Sequence, residues 1–556
     1  MNSENIFLEE GVIEIVDNLI DIEYVDIEEV NDVIEDQEDN IPSIPINIIM
    51  STEDIDPIDI SDLEDFNNIK SKILKSQYVS IYKRDNKFHL VTDTNLYYRV
   101  DIDTIPSHEI AKILVFRKPK KILFNIDEYK ELILEHSIGF WDLKLIMKLL
   151  WGIEVNSAKE LLQLVNISLK SRKNIYGFCS NFINLAKEIN IYVEKNNLNK
   201  ILMIELDIMK EAKLCEKRGI PIDSIRYEEY NEKLSNQFSI LQENMINLYG
   251  ESMNFSKINT IFDYLYKHNK ILSLSSSILE DENKQLYTDL NTYNKYQDTL
   301  NHVILNDRFI AQYNTYDDYE VKIDIIPENY YLDIENQILI EGIYYDLYYK
   351  VLCELTRDKS LIQLVSINDF IENLNVKILG KGKLGIYSEI LLRAFANGLF
   401  KPTEIQIFSQ YAYKTSITEA DIDYIVNLFK EKASNLFNFI LNFDGKDVIY
   451  ERYNKKIFNP SANLEGYIKQ IMNLIFKTAV MLVKSSIDEY NTKYRYDDET
   501  NISIIAFYQN RIILSATERS YSVAIDILNR YMASAYKKFI KNAKFYNNTR
   551  TITKKD

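Results

Sequence analysis

The sequence predicts a multidomain protein of α/β and α+β architecture, predominantly helical. Three observations predict it. The chain has 556 residues, enough for three or four packed domains. A run of alternating apolar and polar residues from Tyr78 to Ile102 precedes a long region, Ser157 to Tyr490, in which apolar positions recur mostly at helical spacing. Glycine (13) and proline (9) are scarce, so long helices with few tight turns are expected.

In chain order, residues 1–66 hold 22 Asp/Glu and no Lys/Arg. Like charge at that density reads as a disordered acidic arm, or one that docks a basic partner. From Ser76, YVSIYKRDNKFHLVTDTNLYYRVDI reads as two or three strands in a meander. KILVF (112–116) and KKILFNI (120–126) read as buried strands, and EYKELILEH and FWDLKLIMKLLW as helices, which gives α/β order. Two long helices are expected near 201–219 and 224–249, the first ended by Gly219-Ile220-Pro221. After Pro327, YYLDIENQILIEGIYY is a β run leading into the helix LYYKVLCEL. Helices dominate to Tyr490. ISIIAFYQNRIILS (502–515) then reads as a hairpin around Tyr508-Gln509-Asn510, followed by an amphipathic helix from Tyr521 to Lys541 and a basic tail, 542–556. No repeat of fixed period points to a solenoid.

Composition narrows the function classes. Ile, Asn, Lys and Tyr (40) are abundant, a bias that suggests an AT-rich genome, viral or low-GC bacterial. Cys179, Cys215 and Cys353 have no CxxC spacing, so neither a zinc site nor a disulfide framework is implied. No apolar run reaches the ~18 residues of a membrane span, and the N-terminus has no leader-like pattern. No membrane partner is expected, and a cytoplasmic location is (the host-cell cytoplasm if viral). The net charge of −19 sits in the arm, since the rest holds 62 acids against 65 bases. Tight autonomous DNA binding is not expected of such a body.

Several segments carry a resemblance. Ile204 to Asp223 is a Glu-containing apolar helix ending Glu216-Lys-Arg-Gly219-Ile-Pro-Ile-Asp223, followed by Gly250-Glu-Ser-Met-Asn254-Phe255-Ser256. Leu339-Ile-Glu-Gly-Ile343-Tyr-Tyr-Asp-Leu-Tyr348-Tyr-Lys350 falls without a gap on L-I-x-A-D-Y-S-Q-I-E-L-R, and the frame runs on through Leu355-Thr-Arg-Asp358-Lys-Ser-Leu361-Ile362. Tyr508-Gln509-Asn510 stands where a hairpin would carry H-D-E. In this order the segments resemble the family A DNA polymerases, the bacterial DNA polymerase I type. The resemblance implies a degenerate 3′–5′ exonuclease-like (RNase H-like) α/β domain over 67–200. A right hand follows: thumb 201–326, palm 327–365 and 461–541, and helical fingers 366–460.

It also implies what chemistry has been lost. Family A enzymes hold two Mg²⁺ ions on two palm aspartates, and small, hard Mg²⁺ needs charged oxygen ligands. Here those places fall on Ile343 and Gln509, and the palm-helix glutamate on Tyr348. On the fingers helix, Glu389 and Arg393 fall on the R-x-x-x-K that grips the triphosphate, with Asn397 and Lys401 at the stacking aromatic positions. Arg393 and Lys401 stay candidates for a phosphate contact, whereas Glu389 would repel one. In the exonuclease-like part Tyr129 takes an aspartate's place in N-x-x-x-D, and Asp142 resembles a structural aspartate. The expectation is therefore no cofactor and no catalytic site, and an accessory subunit among other replication proteins with weak DNA contact. The alternative is an active polymerase, with Mg²⁺ on relocated acids from Asp333, Asp346, Asp497 and Asp498.

Other motifs have plainer readings. Gly380-Lys381-Gly-Lys383-Leu-Gly385 matches G-x-G-x-x-G between helical stretches, so it reads as a basic loop able to touch a phosphate backbone. Tyr496-Asp497-Asp498-Glu499 reads as a solvated loop. Lys537, Lys538, Lys541 and Lys544, with Phe539 and Phe545 interleaved, are phosphate-contact candidates. The five histidines show no ligand spacing.

Overall fold

The computed structural model describes residues 55–134, 137–165, 174–249, 304–305, 308–313, 337–357, 362, 385–413, 417–443, 463–494, 500–508, 510–545 and 548–552. The chain divides into two compact units, Met1–Leu214 and Cys215–Asp556.

The first unit is built on a six-stranded mixed sheet. Strands β1 (Ile58–Ile60), β2 (Tyr78–Arg84), β3 (Lys87–Thr92), β4 (Tyr97–Asp101), β5 (Lys120–Leu123) and β6 (Phe140–Asp142) lie in the order β1-β4-β3-β2-β5-β6. β2, β3 and β4 form the antiparallel meander, while β5 adds parallel to β2 and β6 parallel to β5. The β2–β3 turn uses Asp85 and Asn86, both at positive φ, the pairing a two-residue hairpin requires.

Helices follow the capping chemistry. α1 (Leu63–Ile73) starts at Asp62, whose carboxylate accepts from the Asp65 N–H at 2.8 Å, and buries Phe66, Ile69 and Ile73. After the short α2 (Ser107–Ala111), α3 (Leu143–Trp151) starts at Asp142 and stops at Gly152 in the left-handed region. α4 (Ala158–Leu164), α5 (Ile175–Lys195) and α6 (Asn199–Arg218) complete the run. α5 packs on β2 and β3, where Tyr97, Tyr176 and Cys179 share one core.

Three expectations are corrected here. Residues 55–66 do not belong to a disordered arm: β1 pairs with β4, and Phe66 is fully buried. Asp59 takes a two-pronged bond from Arg99 at 2.5 Å per contact, so part of the acidic excess is matched inside the fold. KILVF is no strand. The N–H groups of Lys112, Ile113 and Leu114 bond back three residues, and burial explains Ile113 and Leu114 but not Phe116, which is exposed. Phe140–Asp142 forms β6, because Asp142 caps the helix and so excludes the residues before it.

The second unit centres on a four-stranded antiparallel sheet. Its strands are β10 (Ile338–Ile343), β11 (Ile502–Tyr508), β12 (Arg511–Ala516) and β13 (Asn548–Thr551), in the order β11-β12-β10-β13. A smaller sheet joins β7 (Ile220–Pro221), β8 (Ile304–Leu305) and β9 (Arg308–Phe309). Gly219, at φ +61, ends α6 where a Cβ would meet Ile310 at 2.8 Å, so the expected break is steric as well as conformational. The long α7 (Ser224–Tyr249) follows, close to its predicted bounds. The other helices are α8 (Leu347–Thr356), α9 (Gly385–Ala396), α10 (Pro402–Tyr413), α11 (Glu419–Lys432), α12 (Ser434–Leu441), α13 (Leu464–Lys493) and α14 (Tyr521–Phe539). α13 and α14 pack together and against the sheet. Phe507 of β11 stacks on Tyr313 at 5.0 Å and tilts against Phe476 of α13 at 6.3 Å.

Candidate functional site

The segments that carry the resemblance meet at one end of the four-stranded sheet. β10 lies between β12 and β13, with Ile343 opposite Arg511 and Asn548, and Glu341 opposite Ile513 and Arg550. Successive residues of a strand point to opposite faces. A Cβ on Gly342 would meet Met532 and Leu528 of α14, so Glu341 and Ile343 face away from that helix. Beyond the strand, the Tyr344 N–H donates to the Asn510 carbonyl at 2.9 Å, and the Asn510 amide donates to the Tyr344 carbonyl at 2.5 Å. The hairpin turn is thereby fastened to the end of β10. Tyr508 pairs with Arg511 at the same end.

The chemistry on this face is that of a sealed surface. Ile343 is 3% exposed, and Ala506 and Ile513 are buried. Glu341 is fully buried and both of its oxygens are taken: Arg511 donates to Oε1 at 3.0 Å, and Arg550 to Oε2 at 2.7 Å. Burial works against the Arg511 charge, but Glu341 holds its pKa above the ordinary value. One carboxylate between two guanidiniums is satisfied, and the three groups together carry a net positive charge.

A second cluster ties α8, α9 and α13 together. The buried Tyr348 hydroxyl of α8 donates to Glu465 Oε2 at 2.6 Å, and Arg393 of α9 donates to Glu465 Oε1 at 2.8 Å. Lys469, one turn along α13, lies 3.5 Å from the same carboxylate. The Arg393 guanidinium sits 3.4 Å over the Tyr348 ring, a cation–π contact. Burial, and then the charge of Glu465, push the Tyr348 phenol well above its usual pKa, so it remains a donor. Arg393 is thus engaged from two sides. Glu389 stands one turn earlier on α9. Asn397 bonds back to the Arg393 carbonyl at 2.8 Å, and Lys401, largely exposed, pairs with Glu404 at 3.0 Å.

The remaining candidates are dispersed. Asp346 precedes α8 in the left-handed conformation, its carbonyl accepting from the Lys350 N–H at 3.0 Å. Lys537 and Lys538 are on α14, and Lys541 and Lys544 just beyond it, with Lys537, Lys541 and Lys544 exposed. In the first unit Tyr129 is buried, its hydroxyl accepting from the Lys83 N–H at 3.3 Å. Asp142 accepts from the Ile126 and Leu145 N–H groups at 2.7 and 3.1 Å, so it serves as scaffold. Asp333, Lys381, Lys383, Asp497, Asp498 and Gln509 lie outside the described residues, as does the Gly250–Ser256 segment.

These side chains do not fit Mg²⁺. Ile343 offers no oxygen, and the oxygens of Glu341 are committed to arginines. Among the described residues, no group of three or more His, Cys, Asp or Glu converges to hold a metal ion. Two residues important here escaped sequence reasoning. Glu465 lies in the first turn of α13, where an acid is ordinarily read as a helix-dipole partner. Glu341 did leave a signal, a lone carboxylate in an apolar strand, which has to find partners when buried.

The fold resembles that of a DNA polymerase domain. It is similar to the POL domain of Pol1 from M. smegmatis, solved in complex with DNA primer-template and dNTP, with a TM-score of 0.66. That likeness covers 88% of this chain and 98% of the other at 13% sequence identity, so it describes the fold alone. No family model matches the sequence. In sequence, the chain is 25% identical over 310 residues to the subtilisin-like protease PIMMS2 of Plasmodium berghei (strain Anka). That match takes in 52% of this chain and spans about a third (34%) of the protease. The fold likeness extends over far more of both partners. No helix among the described residues is long and apolar enough to cross a membrane.

Proposed function

We propose that this chain is a non-catalytic relative of the family A DNA polymerases, acting as an accessory or structural subunit in DNA replication or genome maintenance. The observation that carries the reading is the Glu465 cluster. The one cation at a triphosphate-gripping place, Arg393, is bound by a carboxylate of its own chain and stacked on Tyr348. A triphosphate would have to displace a contact that costs nothing further to keep. Ile343, in the frame of the first metal ligand, supports the same reading, because a buried isoleucine offers a divalent cation no oxygen and the residue opposite it on β12 is a cation, Arg511.

In this reading the four-stranded sheet with α8, α13 and α14 is the palm, α9 to α12 belong to the fingers, α7 to the thumb, and the six-stranded sheet to a degenerate exonuclease-like domain. Tyr129, buried where that chemistry would need an exposed acid, is in keeping with it. The working surfaces would then be docking surfaces for other replication proteins. The competing reading, an active polymerase on relocated acids, predicts template-dependent primer extension with Mg²⁺ or Mn²⁺. The accessory reading predicts none, and extension by the full chain would overturn it.

A further inference from the structure

At one corner of the six-stranded sheet two apolar side chains stand open to solvent. Phe116, shortly before β5, is 43% exposed, and Ile138, shortly before β6, is 38% exposed. The backbone holds them together. The buried Lys121 ammonium donates to the carbonyls of both residues, and the Ile138 N–H donates to the Leu114 carbonyl at 2.9 Å. Gly139 tightens the join, since a Cβ there would meet the Arg117 carbonyl oxygen at 3.0 Å. Lys70, in the last turn of α1, lies 5.7 Å over the Phe116 ring. Arg117 and Lys118 are exposed, and no ion pair joins either to another described residue. Glu109, whose carboxyl lies in the field of Lys70, is bonded to Lys112.

A lone exposed apolar residue is ordinary. Two held side by side among three cations call for a cover of matching chemistry. We propose that residues 12–30 of the same chain lie on this patch, their apolar side chains against Phe116 and Ile138 and their carboxylates toward Lys70, Arg117 and Lys118. The proposal goes beyond the accessory reading and does not depend on it.

Composition selects the occupant. Of these 19 residues, 11 are apolar or aromatic and seven are Asp or Glu, with no base. A solvated tail accounts for the acids but not for the apolar residues, in which disordered chains are poor. A purely apolar surface would strand the carboxylates away from water, whereas one flanked by cations satisfies them. Pairing with the helix dipole explains Lys70 at the end of α1, but Arg117 and Lys118 belong to no helix. The tether suffices as well. The 24 residues between position 30 and Ile55 span up to about 80 Å when extended. A connection of that length keeps the segment at an effective concentration on the order of millimolar, which favours the chain's own patch over a second copy.

The test is hydrogen–deuterium exchange of the full chain, read by mass spectrometry over residues 12–30, with a synthetic 12–30 peptide as the unprotected reference. Exchange in the chain is expected to be at least ~10-fold slower than in the peptide. Arg117→Glu combined with Lys118→Glu, and separately Phe116→Ser, should return it to near the reference rate. Lys159→Glu, at an exposed cation on α4, should leave it slow. Exchange of the β2 and β3 amides in the same samples checks that the variants keep their fold. Wild-type exchange at the free-peptide rate overturns the proposal. So does slow exchange that persists in the patch variants, which would seat the segment elsewhere. Protection lost on dilution also overturns it, by assigning the contact to a second copy.

Discussion

Glu465 accepts from a phenol and a guanidinium at once, and its removal separates a buried contact from a surface one. Glu465→Gln takes a carboxylate away from the Arg393 cation partly buried over Tyr348, at a cost of about 2 kcal/mol. Lys469→Gln removes only an exposed partner, and the expected loss is below about 0.5 kcal/mol. The urea midpoints of the two variants check this, and equal effects would show that the cluster is not held by its buried members. His89 makes a second prediction at this scale. Its Nδ1 lies 2.8 Å from the Tyr97 hydroxyl, and burial, with Arg99 adding to it, lowers its pKa from 6.5 to about 4. The folded state therefore refuses a proton that the unfolded chain accepts below pH 6.5. The associated stability is intact above pH 6.5, falls by about 2 kcal/mol at pH 5, and is fully lost below pH 4. His89→Gln should flatten that part of the pH dependence, measured as the urea midpoint at pH 7 and at pH 5. An unchanged pH dependence would show that His89 takes up its proton as readily in the fold as in the unfolded chain.

At the scale of elements, the β10–α14 contact depends on a missing side chain. Gly342→Ala would place a Cβ 2.6 Å from the Met532 sulfur, and Met532 is fully buried. The expected cost is about 1–2 kcal/mol from overpacking. Combined with Met532→Ala, the two losses should sum to less than their separate values, because each relieves the other; strict additivity would place the residues out of contact. Elements of this kind were legible wherever the pattern was long or the turn chemistry local. The meander declares itself through alternation and the Asp85-Asn86 turn, α7 through 26 residues of helical spacing, and the β11–β12 hairpin through two apolar runs. KILVF misled because a short apolar run reads alike as a buried strand or a buried turn. The candidate site was only half legible. Its frame places Ile343, Tyr348 and Arg393 on the elements expected of them, β10, α8 and α9. What closes the site is Glu465, more than 70 positions beyond Arg393, and no local pattern reports a contact made across that distance.

For the whole molecule, charge and fold pull apart. The chain is strongly acidic, yet its described body places two arginines on the buried carboxylate of Glu341. A polymerase active site needs the reverse, a carboxylate surplus that draws divalent metal. In the proposed function a polymerase-like fold is kept while its chemistry is replaced by internal pairing. The most direct measurement is primer extension by the full chain on a defined primer-template with all four dNTPs, in Mg²⁺ and in Mn²⁺. No extended product is expected with either metal. Template-dependent extension that disappears in Asp346→Asn or Asp498→Asn would contradict it.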